Sequence, residues 1–335
     1  MLYKVKLRIA DIIIEMQSRF PLEQVTKEEE QTHQAVVRYK NFFYKGRQAP
    51  HIVIRVEIVD RLPEISKAKP VFITYHFQDG SENWRLLRKG NTYIYKSPLE
   101  DKKQLMLVNE AFDKVTAYLL PKDRKQKTGV GRRMSYVVSD KSKVRRQEEK
   151  EFVWNISDII YDFLQVLLIN YLAVTKKDGI FTHSMGVKDI RKCGLLFSGK
   201  SKSGKTTLAK IYHKHSKAVV LNDDRIIIRK INNDFYIYGT PWHGDFSDYL
   251  MSRIEKAKLK YILFLKKAKE NSINPISLNK AFKLLYPAMF PTFWDREGTE
   301  VITMFLTDLL SKTSCFRLKF KKDKSVIGFV RRVNC

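Results

Sequence analysis

The chain opens on short runs of β-branched and aromatic residues, several of them alternating apolar with polar positions. They are Tyr3 to Ile9, Ile12 to Met16, Ala35 to Phe43, Ile52 to Ile58, Val71 to Phe77 and Asn83 to Leu87. A period of two sends successive side chains to opposite faces, so these runs predict strands with one face buried. Trp84 to Arg88 and Thr92 to Tyr95 flank Lys89-Gly90-Asn91, whose residues tolerate positive φ, and the three pieces predict a hairpin. Gln104 to Val108 and Val115 to Leu120 add two further strands. To about residue 150 the pattern is that of a β-rich N-terminal domain, 1–150, without a catalytic motif.

The pattern changes after the charged segment Arg145 to Lys150. Ile159, Ile160, Phe163, Leu167, Leu168, Tyr171 and Leu172 form a broad apolar stripe, capped by Asn155 or Ser157, which predicts a buried helix to about Thr175 ended by Gly179. Strands are expected at Ile180 to His183 and Gly194 to Ser198, then a helix from about Lys205 to Lys214, then strands at Ala218 to Leu221, Arg225 to Lys230 and Phe235 to Tyr238. The turn Ile231-Asn232-Asn233-Asp234 makes the last two antiparallel neighbours. A strand Lys260 to Leu265, helices near Asn279 to Tyr286 and Glu297 to Ser311, a strand Cys315 to Phe320 and a final segment Val326 to Val333 complete the pattern. The expected class is α/β (α+β), with a second domain over 151–335.

Composition narrows the setting. With 335 residues, 44% of them hydrophobic, the chain can bury a core in each of two domains. The longest apolar stretch, Ile156 to Val174, is interrupted by Asp158, Asp162, Gln165 and Asn170, which would lack partners in hydrocarbon, so no transmembrane segment is expected. The N-terminus reads as a strand and lacks the features of a signal peptide. Cys193, Cys315 and Cys335 make no CxxC pair and suggest neither a disulfide framework nor a zinc site, which makes the cytoplasm the expected compartment. The net charge is 63 − 36 = +27. It reads either as an anionic partner or as compositional drift spread along the whole chain. No nucleic-acid module accompanies it, so nucleic acid is not the expected partner. The densest basic stretch, Lys122 to Arg146, fits either an acidic peptide or a solvated loop.

The most specific signal is Gly199-Lys200-Ser201-Lys202-Ser203-Gly204-Lys205-Thr206, followed by Thr207, between an apolar strand and a helix. In such a phosphate loop the glycines allow turns that bring successive amides onto phosphate oxygens, and the helix N-terminus adds its dipole. Lys205 is expected to reach the β- and γ-phosphates of a nucleoside triphosphate, ATP, and Thr206 to ligate Mg²⁺. Lys200 and Lys202 either help hold phosphate or are solvated. Downstream, Val219-Val220-Leu221-Asn222-Asp223-Asp224 is an apolar strand ending in two carboxylates, which can orient a metal ion or accept the proton of an attacking hydroxyl. Asn222 departs from the small residue expected before the pair. Upstream, His183 ends a strand, as a structural or a catalytic residue.

The order His183, Gly199 to Thr207, Asp223-Asp224 and Tyr238-Gly239-Thr240-Pro241-Trp242-His243-Gly244-Asp245 resembles HPr kinase/phosphorylase and its relatives, which share a fold with ATP-dependent phosphoenolpyruvate carboxykinase. The resemblance covers roughly residues 151–335, and Phe290-Pro291-Thr292-Phe293-Trp294-Asp295 is similar to the branch that includes kinases of peptide precursors and of serine. It implies a mixed, largely antiparallel sheet around the loop, and multimers. It also implies Asp223 as catalytic acid/base with Asp224 beside it, His183 in the active site, and Asp224 and Asp245 with Thr206 as candidate metal ligands. The ExRGxG signature of true HPr kinases is absent. The expected activity is transfer of the γ-phosphoryl group of ATP to a hydroxyl of a peptide, protein or small molecule; the alternative is an ATP-binding regulatory protein.

Overall fold

The computed structural model describes residues 2–20, 22–23, 39, 41–75, 82–96, 104–120, 154–155, 163–242, 244, 254–290, 292 and 294–332. The basic stretch 122–146, the expected start of the long helix at 156–162, and His243 and Asp245 lie outside them.

The alternating runs of the N-terminal half form β1 (Tyr3–Ile9), β2 (Ile12–Ser18), β4 (Ile52–Ile58), β5 (Lys69–Tyr75), β6 (Glu82–Lys89), β7 (Thr92–Lys96), β8 (Gln104–Asn109) and β9 (Lys114–Leu119). A two-residue strand β3 (Leu22–Glu23) pairs in parallel with β10 (Trp154–Asn155). The eight longer strands make one sheet in the order β1-β2-β4-β9-β8-β7-β6-β5, with β4 parallel to both of its neighbours. The strand expected over 35–43 is not seen: of its described residues, 39, 41 and 42 are in 3-10 turns and Phe43 makes an isolated bridge to Leu7. One face of the sheet, including Ile14, Ile54, Met106 and Ala117, is buried under α1 (Phe163–Asn170). The helix continues as a π-helical turn, Tyr171–Lys176. It ends on Lys177 at φ 53°, and Gly179, expected as the stop, is instead the first residue of a strand.

That strand, β11 (Gly179–Lys188), begins a second mixed sheet with β12 (Cys193–Ser198), β13 (Val219–Asn222), β14 (Arg225–Ile231), β15 (Asp234–Tyr238), β16 (Lys256–Lys267), β17 (Ser272–Pro275) and β18 (Ser314–Phe320). β11 is longer than expected because Gly186–Lys188 is paired on both edges, to β12 and to β13, while Gly179–His183 is paired to β14. The circuit β11-β14-β15-β16-β12 closes on itself, through antiparallel pairs and one parallel pair, β12 with β16. β18 extends it in parallel beyond β16, and β17 runs antiparallel to β18. The predicted turn between β14 and β15 holds Asn232 and Asn233 at φ 48° and 71°, the left-handed pair that a tight two-residue hairpin requires.

The helices cover both faces of this sheet. Leu195, Phe197, Leu263 and Leu318 pack with α2 (Lys205–His215) and α5 (Ser325–Arg331), while Leu196, Ile262 and Phe264 pack with α3 (Leu278–Leu285) and α4 (Arg296–Lys312). A strand buried on both faces reads as a continuous apolar run, which is why Leu195-Leu196-Phe197 shows no alternation. Each such side chain contributes about 1.5–3 kcal/mol, so the residues leading into the loop that follows β12 are among the most firmly held. Among the described residues no helix is long and apolar enough to cross a membrane. Cys315 is buried with a free thiol, and Cys193 is disulfide-bonded, which the cysteine spacing did not suggest.

The two sheets meet at the β1–β2 turn, where Ala10 and Asp11 have φ 50° and 61°. Arg229 of β14 donates to the Ala10 carbonyl at 2.8 Å and to Asp178, and Asp11 accepts from Tyr238 at 2.9 Å, Lys256 at 2.7 Å and Arg8 at 2.6 Å. Burial alone would raise the Asp11 carboxyl, but donation by Lys256, Arg8 and Tyr238 outweighs it and brings the pKa to about 2. In an unfolded chain the group titrates near 3.9, so its contribution is complete above about pH 5 and is lost as pH falls through 2. The expected result is that Asp11→Asn lowers stability at pH 7 and that the gap from wild type closes on acidification to pH 2–3. Urea unfolding at three pH values measures it, and a gap independent of pH would refute the assignment.

Candidate active site

Three chain segments converge at the C-terminal end of β12. The first is the loop 199–204. Lys202 and Gly204 have φ 62° and 108°, the left-handed alternation that builds an anion-binding concavity. Gly204 cannot be replaced without conflict, since a Cβ there would lie 2.7 Å from the Phe320 ring. Lys205, buried at the start of α2, donates to the Gly199 carbonyl at 3.0 Å, so the lysine closes the loop on itself. Burial lowers the Lys205 pKa, with Asp224 pulling it back up, Arg225 pushing it down and Asp223 raising it.

The second segment is the break between β13 and β14. Both strands run along β11, and the two residues between them, Asp223 and Asp224, drop out of the ladder. Asn222 makes the break possible. Its side chain is buried, accepts from the Asp224 and Arg225 amides at 2.8 and 2.9 Å, and donates to the Thr240 carbonyl at 2.9 Å. The residue that looked like a departure from pattern is an Asx turn supplying the hydrogen bonds the ladder no longer provides. Asp223 is buried, accepting from the Thr206 hydroxyl at 3.2 Å and from the Gly244 amide at 2.9 Å. Asp224 is engaged by the Arg225 guanidinium.

The third segment is His183, in β11 opposite Arg225. Its Nδ1 lies 2.8 Å from an Arg225 nitrogen and 3.2 Å from an Asp224 oxygen. A guanidinium can only donate, so Nδ1 carries the lone pair, the proton sits on Nε2, and the contact with Asp224 is no ion pair. The electrostatic surroundings act the same way: burial lowers the His183 pKa to about 4, Asp224 opposing while Lys205 and Arg225 add to the fall. Arg225 also stacks on Phe290, 4.6 Å from the ring centroid, and Phe290 is held on β11 by its amide donating to the Phe181 carbonyl at 3.1 Å.

The structure therefore brings together Gly199 to Thr206, His183, Asp223 and Asp224. Thr206 lies against Asp223, whereas the Asp224 carboxylate is turned to Arg225. Asp295, from the second motif, caps α4 by accepting from the Glu297 and Gly298 amides, and Trp294 packs on Phe72 of the first sheet at 4.8 Å. Thr240 and Trp242 brace the site from behind: the Thr240 hydroxyl donates to the Arg225 carbonyl at 2.7 Å, and the Trp242 ring lies 5.8 Å from that of Phe181. Sequence reading missed Arg225 and Phe290. An arginine directly after two carboxylates was the available signal for the first, and the second is set by a contact remote in sequence.

No family model matches the chain, and no curated protein matches its sequence. Among solved structures it is similar to one described as the Hpr(Ser) kinase/phosphatase from Coxiella burnetii, at 11% identity over 46% of this chain and 94% of that chain, with a TM-score of 0.26. That superposition is too loose to assign a fold or a function.

Because the folded pKa of His183 lies below the ordinary 6.5, protonation favours the unfolded chain, and stability is lost as pH falls from about 6.5 to 4. Nitrogen chemical shifts are expected to report a neutral, Nε2-protonated ring throughout pH 5–8. Asp224→Asn is expected to depress the pKa further. An imidazolium at pH 6 would contradict the tautomer and the Arg225 contact.

Proposed function

We propose that this chain is an ATP- and Mg²⁺-dependent phosphotransferase of the HPr-kinase-like type, moving the γ-phosphoryl group to a hydroxyl. On this reading residues 151–335 are the nucleotide-binding kinase domain and 1–150 a domain for substrate or partner recognition. The observation that carries it is the 3.2 Å contact between the Thr206 hydroxyl and the Asp223 carboxylate beside a left-handed phosphate loop. Thr206 is a hard oxygen donor beside the loop, suited to Mg²⁺, which keeps several waters and takes one or two protein groups plus phosphates, and Asp223 accepts from its hydroxyl. When bound, Mg²⁺ neutralises charge on the β- and γ-phosphates. Asp224 has less claim as a ligand because Arg225 holds it.

The roles follow from the atoms. Lys205 exchanges the Gly199 carbonyl for phosphate oxygens, and the loop amides and the α2 N-terminus hold the rest of the triphosphate. Asp223, oriented by the Gly244 amide, accepts the proton of the acceptor hydroxyl. The acceptor oxygen bonds to the γ-phosphorus, the bond to the β-phosphate oxygen breaks, and ADP leaves. Neutral His183 and the Arg225–Asp224 pair border the γ-phosphate, where Arg225 offsets the charge on the transferring group. The Asn222 turn fixes the carboxylate, so positioning supplies a large share of the rate.

The test uses purified full-length chain, ATP labelled on the γ-phosphate, and a panel of serine peptides and small hydroxy compounds. Asp223→Asn is expected to lower turnover by about two orders of magnitude or more with ATP affinity nearly unchanged, and Lys205→Met to lose ATP binding. Wild-type transfer rates in Asp223→Asn would remove Asp223 as the base. Tight ATP binding with no labelled product from any acceptor would favour the regulatory reading.

A further inference from the structure

The loop forms one wall of a cleft of about 1090 Å³. It runs from His183 and Arg225, at the reacting end, along Lys200 to Ser203, past the C-terminal end of β16 and under Leu284 to Phe290. No Asp or Glu is among the described residues lining it. Lys200, Lys202, Lys266, Lys267, Lys283 and Arg317 all line it, and among the described residues the side chains of these six make no ion pair. Elsewhere Lys188, Lys230, Lys256, Lys258 and Arg331 each reach a carboxylate, but with 63 Lys and Arg against 36 Asp and Glu many other cations are also unpaired. What sets the cleft apart is that six of them face one space with no acid among its described lining residues.

Arg317 is the most telling of the six. It is half-buried, lies beside Phe264 in the parallel β16–β18 ladder, and among the described residues no carboxylate or hydrogen-bond acceptor meets its guanidinium. A guanidinium flanked by other cations and by no carboxylate is a favourable place for an anionic group. A nucleoside triphosphate supplies some negative charge, but Lys205 and the loop amides already serve the triphosphate. The opposite wall is apolar, with Pro287, Ala288 and Met289. The cleft is also at the upper end of the volumes of single-ligand sites, large enough for a second small molecule beside the nucleotide.

We infer that the acceptor is a small anionic molecule, a hydroxyl compound that carries its own phosphate or carboxylate, whose charged group sits on Arg317 and Lys283 while its hydroxyl lies at the His183–Arg225 end of the cleft. This rests on the phosphotransferase reading and narrows it to a substrate class. A guanidinium fork suits either anion in a bidentate arrangement, and the flanking lysines add attraction over the whole length of the cleft.

The test measures calorimetric binding to full-length protein saturated with Mg²⁺ and a non-hydrolysable ATP analogue. The probes are glycerol 3-phosphate for the phosphate arm, glycerate for the carboxylate arm, glycerol as the neutral control and an acidic serine peptide. One or both of the small anions should bind and glycerol should not. Arg317→Gln and, separately, Lys283→Gln should weaken the anionic probe by about tenfold or more, leaving the affinity for the ATP analogue and the melting temperature unchanged. An equal loss of analogue affinity would give Arg317 to the nucleotide and overturn the inference. So would binding of glycerol as tight as that of the anions, preference for the peptide, or no probe binding to nucleotide-loaded protein. Failure of the analogue itself to bind wild-type protein would instead remove the phosphotransferase reading.

Discussion

The site depends on one buried amide. A strand long enough to span β13 and β14 would bury the backbone of Asp223 and Asp224 in a ladder and splay their side chains to opposite faces. Asn222 interrupts it by donating to Thr240 and accepting two main-chain amides, so two carboxylates leave the sheet together without orphaned donors. Leaving such donors unmet costs about 1–3 kcal/mol each, comparable to a large part of the stability of a domain. Thr206, Gly244 and Arg225 then act on groups whose positions are already determined.

Charge is organised around this break in two zones. Near the strand gap, Lys205 and Arg225 alternate with Asp223 and Asp224, a compact arrangement in which each buried charge has an opposite neighbour and His183 stays neutral. Along the cleft the alternation stops and cations stand alone. The +27 excess of the chain is therefore not simply an average over a basic surface. At this place six cations, five of them exposed lysines, face one cleft, so their attraction for an anion adds along its length and is screened by salt.

Much of this was legible in the chain because it is local. The apolar run into Gly199, the glycines and Lys205 that shape the loop, and the Asn232-Asn233 turn each follow from short-range chemistry. Most strand limits fall within a few residues of the expected ones, although the strand expected over 35–43 is not seen among its described residues and β3, β10 and β17 were not expected. What was not legible comes from pairing across distance. β11 runs on to Lys188 because strands from two later segments bind both of its edges. Lys177 displaced Gly179 as the helix stop because Gly179 is recruited into the β14 ladder. Arg225, Phe290 and Arg317 owe their positions to separate segments that meet only in the folded chain. The polar Asn222 looked anomalous by composition and is explained only by Thr240, eighteen positions later.

The closed circuit of β11, β14, β15, β16 and β12 also governs when the loop acquires its shape. Hairpins such as β14–β15 form from neighbouring sequence, but the parallel seam joining Cys193 to Lys258 must wait until everything between them has been laid down. Closure of long loops is entropically slow, and non-local parallel pairing is slower than local pairing. The strand that carries the 199–204 loop is thus clasped on its second edge late in folding. The shape of the 199–204 loop is therefore a property of the finished molecule, completed with the last seam.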